Sequence, residues 1–267
     1  YAYGLTMFEN DDIDLFQEEN NPENPNQYKY KNEFLDYKIR KKTIKVKDSL
    51  GIVLNIKESI HGPIMNDVMN TISSKKPIAM SWIYTQEKNQ ILDAVYHLSH
   101  SKNVDDFRKS IELIHAPGLN IMYGDAKNNI SWTASGKLYK LDKSINPNFI
   151  LNGSNGIDDQ KEFLPFDKNP SALNPSWNYL YSANNQTEAI DGYLYPGYYL
   201  PKDRAERIDK LLAPKNNWTK ADVEKMIVDN TSSRSSFVVS TILPHISLKN
   251  KSKNTQIAFS ILSNWNG

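Results

Sequence analysis

The chain of 267 residues is 39% hydrophobic and 24% charged, the make-up of a globular protein with a full core, and its length fits one large domain over residues 1–267 better than two. Thirty-two Lys and Arg against 31 Asp and Glu leave a net charge of +1, which argues against a general electrostatic attraction to nucleic acid or to an anionic membrane. The absence of cysteine excludes disulfides, thiolate metal sites and a cysteine nucleophile within the chain, and no stretch is apolar over the length of a bilayer.

The opening Tyr-Ala-Tyr-Gly-Leu-Thr reads as the inside of a strand, with no signal peptide before it. The Asn-, Pro- and Glu-rich stretch from Glu18 to Asn32 reads as a surface loop. Ile44 and Val46 alternate with Lys45 and Lys47, and Ile52, Leu54 and Ile56 repeat the pattern after a turn, which predicts a hairpin with one wet face. Pro77 to Tyr84 reads as a more continuously apolar strand. Two helices come next, one carrying Ile91, Ala94, Val95 and Leu98, the other capped by Asn103 and carrying Phe107, Ile111 and Ile114. Leu119–Tyr123 and Asn129–Ala134 predict a second hairpin. A loop-rich stretch spans Asn146 to Asn178, and a short strand over Asn178–Ala183 ends in Asn184-Asn185. Helices are predicted over Asp203–Ala213 and after Thr219, where Asp222 stands in capping-box position. Strands, hairpins and helices in this order give an α+β class.

Three constellations carry candidate chemistry. Asp11 and Asp14, with the carbonyl of Ile13 between them, offer oxygen ligands to a hard cation such as calcium, although acidic clusters are more often solvated turns. Asn184, at a strand end, offers a side-chain amide to a developing oxyanion, although Asn-Asn is common where a chain reverses. Arg204 stands at a helix start, an unusual place for a cation, and its guanidinium can orient an amide oxygen; an exposed surface charge is the plain alternative. The five histidines (His61, His97, His100, His115, His245) show no zinc-ligand spacing and read as surface or hydrogen-bonded residues. No Gly-x-Ser-x-Gly elbow, His-Glu-x-x-His or Walker loop is present.

The string YAYGLTMFENDDIDLFQE at Tyr1–Glu18 resembles the penicillin acylase family, in which a Trp-Gly-x-Thr strand leads to Asp-Asp-x-Asp and an aromatic residue. IHGPI at Ile60–Ile64, IAMSW at Ile78–Trp82, MYGDAKNNISW at Met122–Trp132, EFLPFDKNPSALNP, YLYSANNQ and DRAERIDKLL fit the same family in the same order, and the final WNG is similar to the start of its Trp-Asp-Gly motif. The resemblance implies part of a four-layer αββα N-terminal-nucleophile hydrolase core with antiparallel sheets, one of them carrying Tyr1–Met7, Ile78–Tyr84 and Asn178–Ala183 with helices on one face. It implies an internal piece of the large chain, lacking the nucleophile, the small chain and the rest of the large chain. Met7 falls where a backbone N–H lines the oxyanion hole, Asn184 where a side chain does, and Arg204 where an arginine positions groups around it. Asp11, Ile13 and Asp14 match part of a structural calcium site that some members have, one of whose ligands comes from the small chain; no cofactor is required. Lys140, Asn178 and Asn266 replace an Arg, a Gly and an Asp usual in the family.

The resulting expectation is an amidohydrolase acting on N-acyl amides of the penicillin or acyl-homoserine-lactone type, in the periplasm or secreted, with this chain alone inactive. It requires neither nucleic acid nor membrane. A non-catalytic carbohydrate- or peptide-binding module is the alternative, because Tyr193, Tyr195, Tyr198 and Tyr199 cluster in one loop of a chain with 15 tyrosines.

Overall fold

The computed structural model describes residues 1–159, 161–232 and 234–265. Strand β1 (Ala2–Met7) leads through a short turn to β2 (Ile13–Gln17), whose alternation buries Asp14 and Phe16. The stretch expected to be a loop from Glu18 to Asn32 instead forms β3 (Asn20–Asn21) and β4 (Asn24–Tyr30), continued by β5 (Glu33–Asp36). Tyr28 explains the difference: its ring is buried against Tyr37, and its hydroxyl accepts the Ile60 N–H at 3.0 Å, so a polar segment gains a core anchor. The predicted hairpin is present as β6 (Lys38–Ile44) and β7 (Ile52–Ser59), with β8 (Gly62–Pro63) at its base. Its dry face is thin, because only Leu54 and Ile56 are half-buried while Ile44 and Ile52 stay exposed.

The apolar run after Pro77 forms β9 (Ile78–Trp82) and turns helical at α1 (Ile83–Gln86). Helices α2 (Ile91–His100) and α3 (Val104–Ile111) are present as expected, and the Asn103 side chain caps α3 by accepting the Asp106 N–H at 2.9 Å. The second hairpin, β10 (Leu119–Gly124) and β11 (Ile130–Ser135), closes around Asp125, which accepts the Lys127 and Asn129 N–H groups. β12 (Tyr139–Leu141) comes next, and three short strands punctuate the loop-rich stretch beyond it: β13 (Leu151–Asn152), β14 (Lys161–Phe163) and β15 (Ser171–Leu173). The chain ends in α4 (Asp203–Leu212), α5 (Lys220–Ile227, with the Thr219–Asp222 capping box), α6 (Ser235–Ile242) and α7 (Lys253–Ser263).

The main sheet runs β1-β10-β11-β15, antiparallel throughout. Ile121 and Tyr123 of β10 face α2 and α3, packing with Ala94, Leu98, Phe107 and Ile111. The alternation of a strand then turns Asn120 and its cross-strand neighbours to the opposite face. A second sheet, β13-β2-β9, is mixed: β2 pairs antiparallel with β9 and parallel with β13. The fold is α+β, but one expected sheet holding residues 1–7, 78–84 and 178–183 does not exist. Strands β1 and β9 lie in different sheets, and 178–183 is not a strand. Left-handed residues at either end, Asn178 at φ 61° and Asn184 at φ 57°, take that segment off the ladder. The resemblance implies a glycine at position 178, and asparagine is the residue that best tolerates this conformation after glycine.

One charged group lies inside the core beside the second sheet. His61 is 6% exposed; its Nδ1 meets Glu18 Oε1 at 2.8 Å and its Nε2 meets Asp159 Oδ1 at 2.8 Å. Phe16 stacks on the ring with centroids 4.1 Å apart. Two carboxylates can be satisfied at once only if both ring nitrogens carry protons. Burial works against the cation, but the hydrogen bonds to Asp159 and Glu18 overcome it and raise the pKa to about 9. This imidazolium joins the end of β2, the β7–β8 turn and the 153–159 loop.

Because the folded pKa lies above the ordinary 6.5, the stabilisation from His61 is complete below pH 6.5 and is lost as pH rises through about 9. The urea midpoint is therefore expected to fall between pH 7 and pH 10, and His61→Ala, leaving the buried Glu18 unpaired and the half-buried Asp159 with only the Tyr30 hydroxyl, is expected to cost about 3 kcal/mol at pH 7. A midpoint flat across that range, or an unchanged midpoint in the variant, would refute the assignment.

Candidate active site

The last residue of β1 is the meeting point of the site. Phe8 donates its N–H to the Gly118 carbonyl at 2.9 Å, and Met7 stands opposite Leu119 in the ladder. In an antiparallel pair the bonded and non-bonded positions alternate, so the Met7 N–H finds no partner in β10 and faces the free edge of the sheet. The Met7 carbonyl accepts two side-chain amides, Asn184 Nδ2 at 2.6 Å and Asn120 Nδ2 at 3.0 Å. Asn184 lies 177 positions away in sequence.

Asn184 is itself held from two sides. Arg204 Nη2 donates to Asn184 Oδ1 at 3.0 Å and to the Ala183 carbonyl at 2.7 Å. Tyr179 ties the segment to α4 through Asp209 at 2.6 Å, and Arg207 anchors α4 through a two-pronged pair with Asp229. Ser182 and Thr6 share a hydrogen bond of 2.7 Å on the face of β1 away from the helices. The loop after Asn185 is stitched to the β1–β2 turn: Tyr198 donates to Glu9 O, and Asp11 to Pro196 O. A Cβ at Gly197 would lie 2.2 Å from the Glu9 carbonyl, so only glycine permits this approach.

The structure therefore brings Met7, Asn184 and Arg204 together. It also supplies a support that spacing did not reveal: Asn120, 3% exposed, is oriented by the Trp132 indole N–H on its Oδ1 at 3.0 Å. Met122-to-Trp132 and Asn120-to-Ala134 are facing pairs of the same hairpin, so alternation alone places both side chains on one face. Beside them opens a cleft of about 620 Å³, walled by Trp132, Trp177, Tyr179 and Tyr181 and reaching Ser182.

The acidic residues lie deeper. Asp14 Oδ2 receives Lys161 Nζ at 2.6 Å and the Tyr139 hydroxyl at 2.9 Å, while Oδ1 of Asp14 and Oδ1 of Asp11 are buried without a partner. Burial and the neighbouring Asp14 charge push Asp11 up to about 7. Two bare carboxylate oxygens are the chemistry a divalent cation seeks. Calcium, however, takes six to eight oxygens, and among the described residues no group of three or more His, Asp and Glu side chains is placed to hold a metal. The Lys161 ammonium already neutralises one of the two acids. On their own, Asp11, Asp14 and the Ile13 carbonyl do not fit a calcium cage. The tyrosines expected to form a binding surface turn inward instead: Tyr195 is buried with Phe8 and Leu138, Tyr193 and Tyr199 pack against that cluster, and Tyr198 alone is exposed. Asn266 lies outside the described residues.

The penicillin amidase family model matches residues 1–267. The chain belongs to that family. It is 27% identical over 233 residues to penicillin G acylase from Escherichia coli, covering 86% of this chain and 27% of the relative. It is 27% identical over 243 residues to the acyl-homoserine lactone acylase QuiP from Pseudomonas aeruginosa, covering 86% of this chain and 28% of the relative. The structure of a thermostable penicillin G acylase from Alcaligenes faecalis matches all of this chain and 48% of that one, with a TM-score of 0.80 at 20% identity, which shows the shared fold. The chain thus spans about a quarter of the curated relatives and about half of the solved chain.

Calcium at millimolar concentration is expected to leave the melting temperature of this chain unchanged within about 1 °C, the site being incomplete and already holding an ammonium. Lys161→Met should lower stability by about 3 kcal/mol by stranding Asp14. A rise of several degrees with calcium, abolished by Asp14→Asn, would show that the cage is complete.

Proposed function

We propose that this chain is the oxyanion-binding portion of an amidase that cleaves the linear amide of N-acyl compounds through an acyl-enzyme, with the nucleophile supplied from outside these 267 residues. The observation that carries the proposal is the convergence of Met7, Asn184 and Arg204. An asparagine amide has two N–H donors. One is committed to the Met7 carbonyl, which fixes the plane of the group, and the other remains for a ligand. The Met7 N–H at the strand edge is the second donor. Arg204, on the amide oxygen, draws electron density from the Asn184 amide and sharpens its acidity as a donor.

In the reaction proposed, the nucleophile's oxygen or sulfur attacks the amide carbon along the free edge of β1. The carbonyl oxygen takes the electron pair and becomes the oxyanion, stabilised by the two donors. Collapse breaks the C–N bond, the proton that the nucleophile gave up passes to the leaving amine, and water later attacks the acyl-enzyme to release the acid and return a proton to the nucleophile. The aromatic cleft beside Ser182 offers apolar surface to one side of the substrate, in the size range of small-molecule sites. Penicillin-type and acyl-homoserine-lactone-type amides are the two substrate classes that the relatives' names suggest. A partner chain and a periplasmic or secreted location belong to the same proposal and rest on the resemblance. The inward packing of three of the four loop tyrosines removes the feature that favoured a binding module.

The test is kinetic. In an enzyme containing this chain together with its nucleophile, Asn184→Ala is expected to lower kcat by about a hundredfold or more while KM changes little, because the donor acts on charge present only in the transition state. The 267-residue chain alone is expected to show no turnover of a chromogenic acyl amide. An unchanged kcat in the variant, or saturable turnover by the chain alone, would refute the proposal.

A further inference from the structure

The net charge of +1 conceals a strong segregation. Between Lys38 and Ser59 stand seven basic residues (Lys38, Arg40, Lys41, Lys42, Lys45, Lys47, Lys57) against Asp48 and Glu58, so the β6–β7 hairpin carries +5 and the rest of the chain −4. The charges near the base are spoken for. Glu58 pairs with Arg40 at 2.7 Å and lies 3.9 Å from Lys38, and Lys57 donates to the Pro25 carbonyl. Toward the tip, Lys41, Lys42, Lys45 and Lys47 have no ion-pair partner among the described residues.

Lysine on an edge strand such as β6 is commonly explained as protection against unwanted strand pairing. That account does not extend to the aliphatic residues beside them. Leu50, at the turn, is 91% exposed; Ile44, Val46, Ile52 and Val53 are 40–53% exposed. The register sets Ile44 opposite Ile52 and Thr43 opposite Val53, so both faces of the tip end in aliphatic groups. Lys42 and Lys41 come one step behind, opposite Leu54 and Asn55. The arm is therefore an aliphatic point with a collar of ammonium groups on flexible stems.

We propose that the Lys38–Ser59 hairpin is a docking arm for a surface of anionic lipid headgroups. The tip, led by Leu50, enters the boundary between headgroups and acyl chains. The lysines extend back to the phosphates, as long cationic side chains do at such a boundary. The chemistry favours lipid over nucleic acid. No aromatic side chain lies between residues 38 and 59 to stack on a base, and a polyanion in water would leave the aliphatic tip hydrated. Unlike the active-site proposal, this one depends on no nucleophile and no catalytic residue, so either can fail alone.

The experiment is co-sedimentation of the 267-residue chain with vesicles of phosphatidylcholine alone and of phosphatidylcholine mixed with phosphatidylglycerol. Binding is expected only to the mixed vesicles and should weaken with salt. Replacing Lys41, Lys42 and Lys45 together by Gln should weaken it on the order of a hundredfold, each lysine near an anionic surface being worth about a factor of five. Leu50→Trp should show a blue-shifted emission on the mixed vesicles, and Leu50→Ser should weaken binding at every salt concentration. Because these side chains are exposed, an unchanged circular dichroism spectrum and melting curve will confirm that each variant folds. The proposal is overturned by equal or absent binding to the two vesicle types, or by binding that the lysine variant does not alter. It is overturned equally if RNA or heparin binds the chain while Leu50→Ser is without effect and Leu50→Trp does not shift, which would make the partner a soluble polyanion.

Discussion

The carbonyl of Met7 is the atom on which the site depends. Two asparagine side chains reach it, Asn120 from the neighbouring strand and Asn184 from a loop 177 residues away. Each is fixed by a further donor, the Trp132 indole in one case and the Arg204 guanidinium in the other. A carbonyl has two lone pairs, and both are used here, so the peptide plane after Met7 has little freedom to rotate. The same contacts join the end of β1 to the start of α4. Without them the 178–185 segment, which makes no ladder of its own, would be held by the Thr6–Ser182 and Tyr179–Asp209 bonds and by the Leu200 N–H on the Asn184 carbonyl.

Much of this was legible in the sequence where a local rule is enforced by tertiary packing. The helices after Ile91 and Asn103, the Thr219 cap and the two hairpins arise from period and capping, and the apolar stripe Ala94, Leu98, Phe107, Ile111 is the one that packs on β10. Composition failed over residues 18–32, where Asn, Pro and Glu suggested a loop. A single buried ring, Tyr28, was enough to give those polar strands a side that faces the core. The 178–183 segment failed in the other direction: it reads as a short strand, but the left-handed residues at 178 and 184 turn its polar groups toward side chains. The meeting of Asn184 with Met7 has no local signature. Only the resemblance to a family brought the two residues together before the fold did.

Charge inside this protein is held by pairing rather than by solvent. His61 sits between two acids, and Lys161 sits on Asp14 with the Tyr139 hydroxyl beside it. These groups were unreadable from spacing because each pair joins residues 43 to 147 positions apart. Their common effect is to fasten the second sheet and its loops with contacts that cost several kcal/mol to break singly. The lysines toward the tip of the β6–β7 arm, Lys41, Lys42, Lys45 and Lys47, are the opposite case, exposed and without an ion-pair partner among the described residues. The nearly neutral total therefore arises from two unlike populations of charge, and it describes neither.

Asn184 shows why one residue type answers two demands. Its backbone is left-handed, at φ 57°, with its carbonyl accepting the Leu200 N–H at 2.8 Å. Glycine would take that conformation more easily but has no amide to offer. Aspartate would tolerate it, yet its ionised carboxylate accepts hydrogen bonds and would face the Met7 carbonyl with like polarity. Glutamine would bring the amide on a longer stem, from a residue less suited to positive φ. Asparagine alone combines tolerance of the left-handed region, a donor pointed at Met7 and an oxygen for Arg204. The loop's shape and the site's chemistry therefore select the same side chain, and a substitution that respects one of them breaks the other.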